Sequence, residues 1–199
     1  MSCNKKCWFC YSNKHDSKRC PIEADISLTL KNKAGAEFES YIADYIKCPN
    51  CFEYGFKRLN NNLPSLDIIC DCGFNFEVKS KCLSVNELPN DIELNHGVYT
   101  ECMERVEIYD LNLIVIIYGV DRTHKTISIR EILYATNDML RNPDIIEIHP
   151  KPNCKLSKIF IKDKTKLNKL YFTKTVISFK KEIDEYIASK KLLSQKIDL

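Results

Sequence analysis

The chain has 199 residues, of which 29% are charged and 44% are hydrophobic, and its formal net charge is +3. This length and balance suit one medium domain with a small appendage, and they exclude disorder over the whole length. The longest apolar run, 111–120, is far shorter than the ~20 residues that span a bilayer, and no apolar stretch follows the basic N-terminal residues. We therefore expect a soluble, cytoplasmic protein with no membrane partner.

Positive charge is concentrated in two segments. Residues 1–20 hold five Lys or Arg and one Asp, and residues 151–181 hold ten Lys and one Asp. Residues 21–150 carry a net charge of −9, so two basic segments flank an acidic middle. Such flanks suit a phosphate backbone, which attracts Lys and Arg. The alternative is a lysine-rich solvated surface with no nucleic-acid partner.

The first motif is a series of possible metal ligands near the N-terminus: Cys7, Cys10, His15 and Cys20. Its C-x2-C-x4-H-x4-C spacing has the ligand count and loop sizes to wrap one tetrahedral zinc ion. It resembles the retroviral-type CCHC zinc knuckle, a module that binds single-stranded nucleic acid. We therefore expect a zinc-knuckle-like module over residues 1–24.

A second cysteine cluster lies in the first half of the chain and consists of Cys48, Cys51, Cys70 and Cys72. The C-P-x-C pair is typical of a zinc-ribbon knuckle, and the C-x-C pair can complete a four-thiolate site. We expect a zinc ribbon at 47–74 whose zinc is structural, which makes two zinc ions with the knuckle. Three further cysteines are expected to be small buried apolar residues: Cys82, Cys102 and Cys154.

The remaining pattern alternates helix and strand, which indicates an α/β domain around a mixed central sheet. A linker is expected at 21–33. Helices are predicted over 34–46, 97–108, 129–140 and 179–195. Strands are predicted over 66–69, 74–79, 113–120, 145–148 and 158–161, with 113–120 buried on both faces.

The polar face of the strand at 74–79 contains the candidate chemistry. Glu77 and Lys79 are two residues apart, so their side chains project from the same face. Asp67 lies on the preceding strand, ten residues before Glu77. Two carboxylates, with the Val78 carbonyl as a further ligand, can bind Mg²⁺, and Lys79 can position the attacking water. An amphipathic strand with Glu and Lys on its wet face is the alternative.

Several motifs then occur in one order: CPNC (48–51), LPSLD (63–67), FEVKSK (76–81), HGVYTECMERV (96–106) and LIVIIY (113–118). This order resembles the DpnI-like restriction endonucleases, which have a PD-(D/E)XK nuclease core with an inserted four-Cys zinc ribbon. The resemblance implies a PD-(D/E)XK nuclease domain at 25–199 that is a Mg²⁺-dependent endodeoxyribonuclease. It also implies the site residues: catalytic Asp67, Glu77, Lys79 and Glu39, with Asp67, Glu77 and Val78 as magnesium ligands.

The resemblance is incomplete. The family's Arg-rich stretch is missing from 145–159, and the segment after Phe179 is too short for a winged helix, so we expect DNA cleavage but no particular recognition sequence or methylation dependence. Double-stranded DNA is the expected substrate, and a homodimer is one way to cut both strands. A repair or recombination nuclease and a non-catalytic zinc-dependent nucleic-acid-binding protein are the alternatives. We expect His96 to be exposed or in the core, and Arg105 to be able to contact a phosphate.

Overall fold

The structure is a computed structural model, and it describes residues 21–59, 67–84, 87, 89–108, 111–152 and 154–197. The described chain is a mixed α/β protein with helices and a mixed central sheet. Its helices are α1 (Pro21–Tyr45), α2 (Tyr99–Ile108), α3 (Asn137–Arg141) and α4 (Lys180–Ile197). Its strands are β1 (Phe56–Arg58), β2 (Ile68–Cys70), β3 (Asn75–Cys82), β4 (Ile92–Val98), β5 (Asn112–Asp121), β6 (Thr126–Ala135), β7 (Ile146–Pro150), β8 (Leu156–Ile161), β9 (Asn168–Lys169) and β10 (Val176–Ser178).

The chain divides into two compact units. The larger contains residues 35–119 and 129–175, and the smaller contains the described parts of 1–34, 120–128 and 176–199. In the smaller unit, β10 pairs antiparallel with the start of β6, and Lys125 forms an ion pair with Asp184 of α4. None of the described helices combines the length and apolar character needed to cross a bilayer.

The candidate site depends on one sheet of the larger unit, whose strand order is β1-β2-β3-β5-β6. β1 and β2 are antiparallel, as are β2 and β3, whereas β3 and β5 run parallel with Glu77 opposite Leu113. β5 is buried from Asn112 through Gly119, which confirms the prediction of a central strand covered on both faces. β2 pairs only with the first residues of β3, so the edge of β3 beyond Phe76 is open toward Asp67.

A second, three-stranded antiparallel sheet has the order β4-β8-β7. Along β4 the side chains alternate between buried and exposed, and Ile92, Leu94 and His96 are the buried ones. This sheet shares a hydrophobic core with β5 and the end of β6. Burying one such aliphatic side chain contributes about 1.5–3 kcal/mol, so this core holds the two sheets together.

Three sequence predictions of secondary structure were wrong. The linker at 21–33 is the first half of α1, because Ile26, Leu30 and Ala34 continue its buried stripe at helical spacing. The helix at 129–140 is mostly β6, whose alternating Ile127 and Ile129 are buried, and only α3 is helical. The predicted helix at 97–108 begins at residue 99, because β4 takes the preceding residues.

The expected boundary between a knuckle module and the nuclease domain falls after residue 24. Residues 1–20 lie outside the described residues, so the module at 1–24 stays a prediction.

Candidate metal centres

The four ribbon cysteines converge on one point, and we call them the thiolate site: Cys48, Cys51, Cys70 and Cys72. Their Sγ atoms all lie within 4.8 Å of one another. The Sγ atoms of Cys48 and Cys72 are 3.7 Å apart, and those of Cys51 and Cys70 are 3.5 Å apart. A tetrahedral ion with Zn–S bonds of about 2.3 Å separates its sulfur ligands by about 3.8 Å. The four thiols can therefore hold one zinc ion.

Two tight backbone turns bring the thiols together. In the first, Phe52 N donates to Cys48 O at 2.9 Å and Cys48 N donates to Glu53 O at 3.0 Å. In the second, Gly73 N donates to Cys70 O at 2.9 Å. The residue after the last cysteine of each turn has a positive φ, 61° at Phe52 and 86° at Gly73. The two turns differ in length but share this positive φ, and each brings its own pair of cysteines onto one tight turn.

The electrostatics of the thiolate site are uneven. Burial raises the pKa of Cys70 to about 12, whereas the hydrogen bond from Asn50 Nδ2, 3.4 Å from Cys72 Sγ, lowers the pKa of Cys72 to about 6. Because zinc binds thiolates, zinc binding at this site would displace the proton of each thiol that is still protonated. Such a closed set of four thiolates is typical of a structural zinc, which clamps the turns and has no open position for a substrate.

The second group consists of Asp67, Glu77 and Lys79, which we call the carboxylate site. Asp67 precedes β2, and its Oδ2 accepts a hydrogen bond of 2.6 Å from Val78 N of β3. Glu77 and Lys79 flank Val78 on that strand, and they form an ion pair with each other. Asp67 therefore contacts the backbone of β3 between Glu77 and Lys79, whose side chains contact each other.

Glu77 is the most deeply buried of the three, with only 5% of its surface exposed. Its Oε2 accepts a hydrogen bond of 2.6 Å from His96 Nε2 of β4 and lies 3.7 Å from Arg105 Nη1 of α2. Lys79 contacts its other carboxylate oxygen, Oε1. Glu77 is thus held from three directions by cationic or N–H donor groups, which fixes its orientation.

The two carboxylates have opposite electrostatic environments. Burial raises the pKa of Asp67, and the Val78 N–H and the charge of Lys79 offset this only in part. Burial also acts on Glu77, but its hydrogen bond with His96 and the charge of Lys79 outweigh burial and lower its pKa to about 2. Among the described residues Asp67 forms no direct ion pair, so Lys79 and Arg105 act on it only through longer-range charge interactions.

The carboxylate site fits a hard divalent cation. In a β-strand, the N–H and C=O of any one residue point toward the same edge. The Val78 carbonyl therefore faces the same edge as the Val78 N–H that is bonded to Asp67. Asp67, Glu77 and this carbonyl are oxygen ligands, the type that Mg²⁺ prefers. A cation here would stabilise the charged form of Asp67, which burial disfavours, and it would compete with Lys79 for Glu77.

Glu39 on α1, also predicted as a site residue, pairs with a different partner. Its Oε2 accepts a hydrogen bond of 2.6 Å from Arg58 Nε of β1. No hydrogen bond or ion pair between described residues joins Glu39 to Asp67 or Glu77. Its contact is with the hairpin that leads into the carboxylate site.

Sequence reasoning missed the relation of His96 and Arg105 to Glu77. His96 is in the core, one of the two placements expected, but its imidazole contacts the carboxylate, and its Nδ1 is buried with no hydrogen-bond partner among the described residues. The alternation of Ile92, Leu94 and His96 along β4 could have indicated that the histidine faces inward.

The lysine-rich segment 151–181 proves to be partly neutralised. Within the described residues, several of its lysines pair with acidic residues of the middle of the chain, at N–O distances of 2.5–3.4 Å: Lys158 with Glu93, Lys162 with Glu147, and Lys164 and Lys169 with Glu131. Four of the ten lysines of this segment are therefore paired internally with three glutamates of the middle of the chain.

The other cysteine predictions have mixed outcomes. Cys102 is buried and burial raises its pKa to about 11, as expected for a small apolar core residue. Cys82 is half-buried, and Cys154 is exposed, so the prediction of burial was wrong for Cys154. The knuckle ligands lie outside the described residues, so their zinc site stays a prediction: Cys7, Cys10, His15 and Cys20.

Comparison with known proteins adds one finding to this geometry. No curated protein matches the chain. The family model described as "DpnI: Dam-replacing family" matches residues 29–161, about two thirds of the 199 residues, and this range includes both the thiolate and the carboxylate sites. Membership of this family indicates a restriction-type nuclease with DNA as its substrate. The chain therefore belongs to the DpnI Dam-replacing family.

Proposed function

We propose that this protein is a Mg²⁺-dependent DNA endonuclease of the DpnI type, with a PD-(D/E)XK core, that hydrolyses phosphodiester bonds in double-stranded DNA. The observation that carries the proposal is the hydrogen bond of 2.6 Å between Asp67 and Val78 N, which joins the lone aspartate to the Glu77–Lys79 strand. That one contact brings two carboxylates, a backbone carbonyl and a lysine to one sheet edge.

The residues of the carboxylate site have distinct roles in the proposed reaction. Asp67, Glu77 and the Val78 carbonyl would hold the magnesium ion, which would supply a Lewis acid for the scissile phosphate and lower the pKa of a bound water. With a cation on Glu77, Lys79 would no longer be needed as that carboxylate's counter-charge. Its ammonium would then be available to orient the attacking water and to stabilise the negative charge that develops on the phosphate.

The surrounding residues keep this arrangement in place. His96 holds Oε2 of Glu77, and Arg105, 3.7 Å away, keeps a positive charge beside the same oxygen when Lys79 leaves. Glu39 supports the site through Arg58, on the hairpin that precedes Asp67. The thiolate site clamps the other end of that hairpin with zinc and takes no part in the chemistry.

Two further parts of the proposal concern the chain as a whole. The N-terminal series of Cys7, Cys10, His15 and Cys20 would hold a second structural zinc and contact nucleic acid. A homodimer would place two carboxylate sites on one duplex, which allows both strands to be cut.

The test is cleavage of supercoiled plasmid by the full chain with Mg²⁺, using one plasmid carrying N6-methyladenine in GATC and the same plasmid unmethylated. Asp67→Ala and Lys79→Ala should each reduce cutting by about 10²–10³-fold or more with zinc content unchanged. Lys81→Ala is the matched control: Lys81 is two residues farther along β3 and its Nζ donates to Glu93 O at 2.9 Å, so cutting should persist. An Asp67→Ala variant that cuts as the wild type does would disprove the assignment.

A further inference from the structure

The first turn of the thiolate site carries a feature that zinc binding does not require. Phe52 follows Cys51 in that turn, and its side chain is exposed, with 71% of the residue's surface accessible. Tyr54, two residues later, is 61% exposed. Two aromatic rings therefore project into solvent from a turn whose backbone is closed by hydrogen bonds at Cys48.

The backbone conformation at Phe52 is one that phenylalanine rarely adopts. Its φ of 61° lies in the left-handed region, which glycine adopts without cost and which is unfavourable for a residue with a Cβ. The equivalent position of the other turn is Gly73, with a φ of 86°. Phenylalanine at this position strains the backbone and buries little apolar surface, so the folded state gains nothing evident from its ring.

The surroundings of the rings indicate what they contact. Lys47 Nζ lies 5.2 Å from the centre of the Tyr54 ring, so a positive charge stands beside the aromatic face. Two rings are too small an apolar patch for a stable protein interface, which buries about 800 Å² on each partner. They are the right size to contact one or two nucleobases, and the lysine suits the adjoining phosphate.

The position of the turn also suits DNA bound for cleavage. Phe56 of β1 pairs with Cys70 of β2, and Asp67 lies three residues before Cys70. At about 3.3 Å per residue, the thiolate cluster is roughly 10 Å along the strand from the carboxylate site, which is about three base-pair steps of a duplex. A duplex cut at Asp67 can therefore reach the aromatic turn.

We propose that Phe52 is a wedge that contacts the bases of the duplex substrate, with Tyr54 and Lys47 beside it, and that the zinc ion serves to hold this wedge rigid. The inference rests on the proposed function, because it takes double-stranded DNA as the partner. It adds a base-contacting element outside the carboxylate site.

The test measures DNA affinity separately from cleavage. Fluorescence anisotropy would follow the binding of the full chain to a fluorescein-labelled 30-bp duplex of random sequence, with Ca²⁺ replacing Mg²⁺. The variant is Phe52→Gly, which removes the ring and relieves the positive φ, and its expected affinity is about 5- to 100-fold lower than that of the wild type. The dependence of log K on log salt should keep its slope, because no phosphate contact is lost.

A control variant, a second probe of the wedge and two physical measurements accompany the Phe52→Gly experiment. Tyr171→Ser removes an aromatic residue that is 86% exposed and lies in the lysine-rich segment, and it should bind within about twofold of the wild type. Tyr54→Ser is a second probe of the wedge and should weaken binding in the same direction as Phe52→Gly. Zinc content and melting temperature of Phe52→Gly should equal or exceed those of the wild type, which separates a lost contact from misfolding.

Failure of the wedge proposal and failure of the proposed nuclease function give different results. A wild type that cuts plasmid while Phe52→Gly binds duplex equally well overturns the wedge and leaves the proposed function intact. A loss of affinity confined to a single-stranded probe of the same sequence also overturns it, since the partner would then be unpaired bases. A wild type that binds duplex through Phe52 but never cuts would refute the nuclease and retain the wedge.

Discussion

The thiolate site and the carboxylate site both include residues at the ends of β2, yet they are electrostatically opposite. Cys70 and Cys72 lie at the turn between β2 and β3, whereas Asp67 lies at the far end of β2 and meets the middle of β3. The thiolate site contains four potential anions with no cationic side chain among their hydrogen-bond partners in the described chain. The carboxylate site already contains its own cations, because Lys79 and Arg105 face Glu77.

The presence or absence of cationic partners predicts how much the stability of each site depends on a metal ion. Four thiols packed within 4.8 Å gain little from one another, so an ion that binds them contributes directly to the folding free energy. A carboxylate paired with lysine, arginine and histidine is stable without an ion. If the proposed function holds, the carboxylate site could exchange a metal ion and a substrate while the fold stays intact.

The largest expected effect is loss of the thiolate site. Cys51→Ser should lower the zinc content by one equivalent and reduce the free energy of unfolding by at least about 3 kcal/mol, because the clamp on both turns is lost. The matched control is Cys154→Ser, at an exposed cysteine outside the cluster. Metal analysis and denaturant unfolding check both variants. Equal zinc content in Cys51→Ser and the wild type would contradict the structural role.

Neutralising the two carboxylates in the absence of Mg²⁺ should have opposite effects on stability. Glu77→Gln should reduce the free energy of unfolding at pH 7 by about 2–4 kcal/mol, because it leaves Lys79 and Arg105 without their anion. Asp67→Asn should leave stability unchanged or raise it by up to about 1 kcal/mol, because burial already disfavours the charged aspartate and an amide oxygen can still accept from Val78 N. Denaturant unfolding of both variants beside the wild type measures the two changes, and equal losses would contradict the difference between the carboxylates.

The free energy of unfolding should also depend on pH through the ionisation of Glu77. The folded-state pKa of Glu77 is lowered to about 2 from 4.5, so its contribution to stability is complete above the unfolded value and is lost as pH falls through that interval. The Glu77→Gln variant should therefore show a weaker loss of stability between pH 4.5 and pH 2 than the wild type does. Parallel acid titrations of both proteins by circular dichroism measure this, and identical titrations would show that Glu77 is not stabilised in its charged form.

The sequence predicted those features that depend on short-range spacing. The thiolate site follows from two cysteine pairs in tight turns, because zinc requires four ligands at a fixed radius and each turn supplies two of them. The Glu77–Lys79 face follows from strand alternation, since residues two apart share a face. The burial of β5 follows from its uninterrupted β-branched run.

The features that sequence reasoning missed depend on long-range packing. His96 meets Glu77 because β4 belongs to a different sheet that packs over β3 and β5, and no local pattern specifies that contact. The lysine-rich segment left two interpretations open, a phosphate-binding flank and a solvated surface, because a count of net charge does not include the glutamate partners, which lie on β4, β6 and β7. The segment at 129–140 is an exception, because β6 follows β5 through the short turn at 122–125, and the alternation of Ile127 and Ile129 is a local strand signal that the helix assignment overlooked.

A smaller effect is expected at His96. His96→Leu removes the N–H that holds Glu77 Oε2, so the free energy of unfolding should fall by about 1–3 kcal/mol and cleavage by about tenfold. His96→Gln is the matched variant, because its amide nitrogen can reach the position of Nε2, and it should recover most of both losses. If His96→Gln is as impaired as His96→Leu, then packing of the imidazole, and not its hydrogen bond, is what matters.

The smallest effect is expected at Glu39, and it decides how the first helix serves the carboxylate site. The pair with Arg58 is partly exposed, with 20% and 43% of the two side chains accessible, so Glu39→Gln should cost less than about 1 kcal/mol and change cleavage by less than about threefold. Arg58→Gln should have an equal effect, and the double variant should be no worse than either single one, because both remove the same contact. A drop in cleavage of about 100-fold in Glu39→Gln, with Arg58→Gln unaffected, would instead place Glu39 at the metal ion. The present geometry favours the smaller effect, because the side chain of Glu39 already has a partner on β1 that orients the hairpin carrying Asp67.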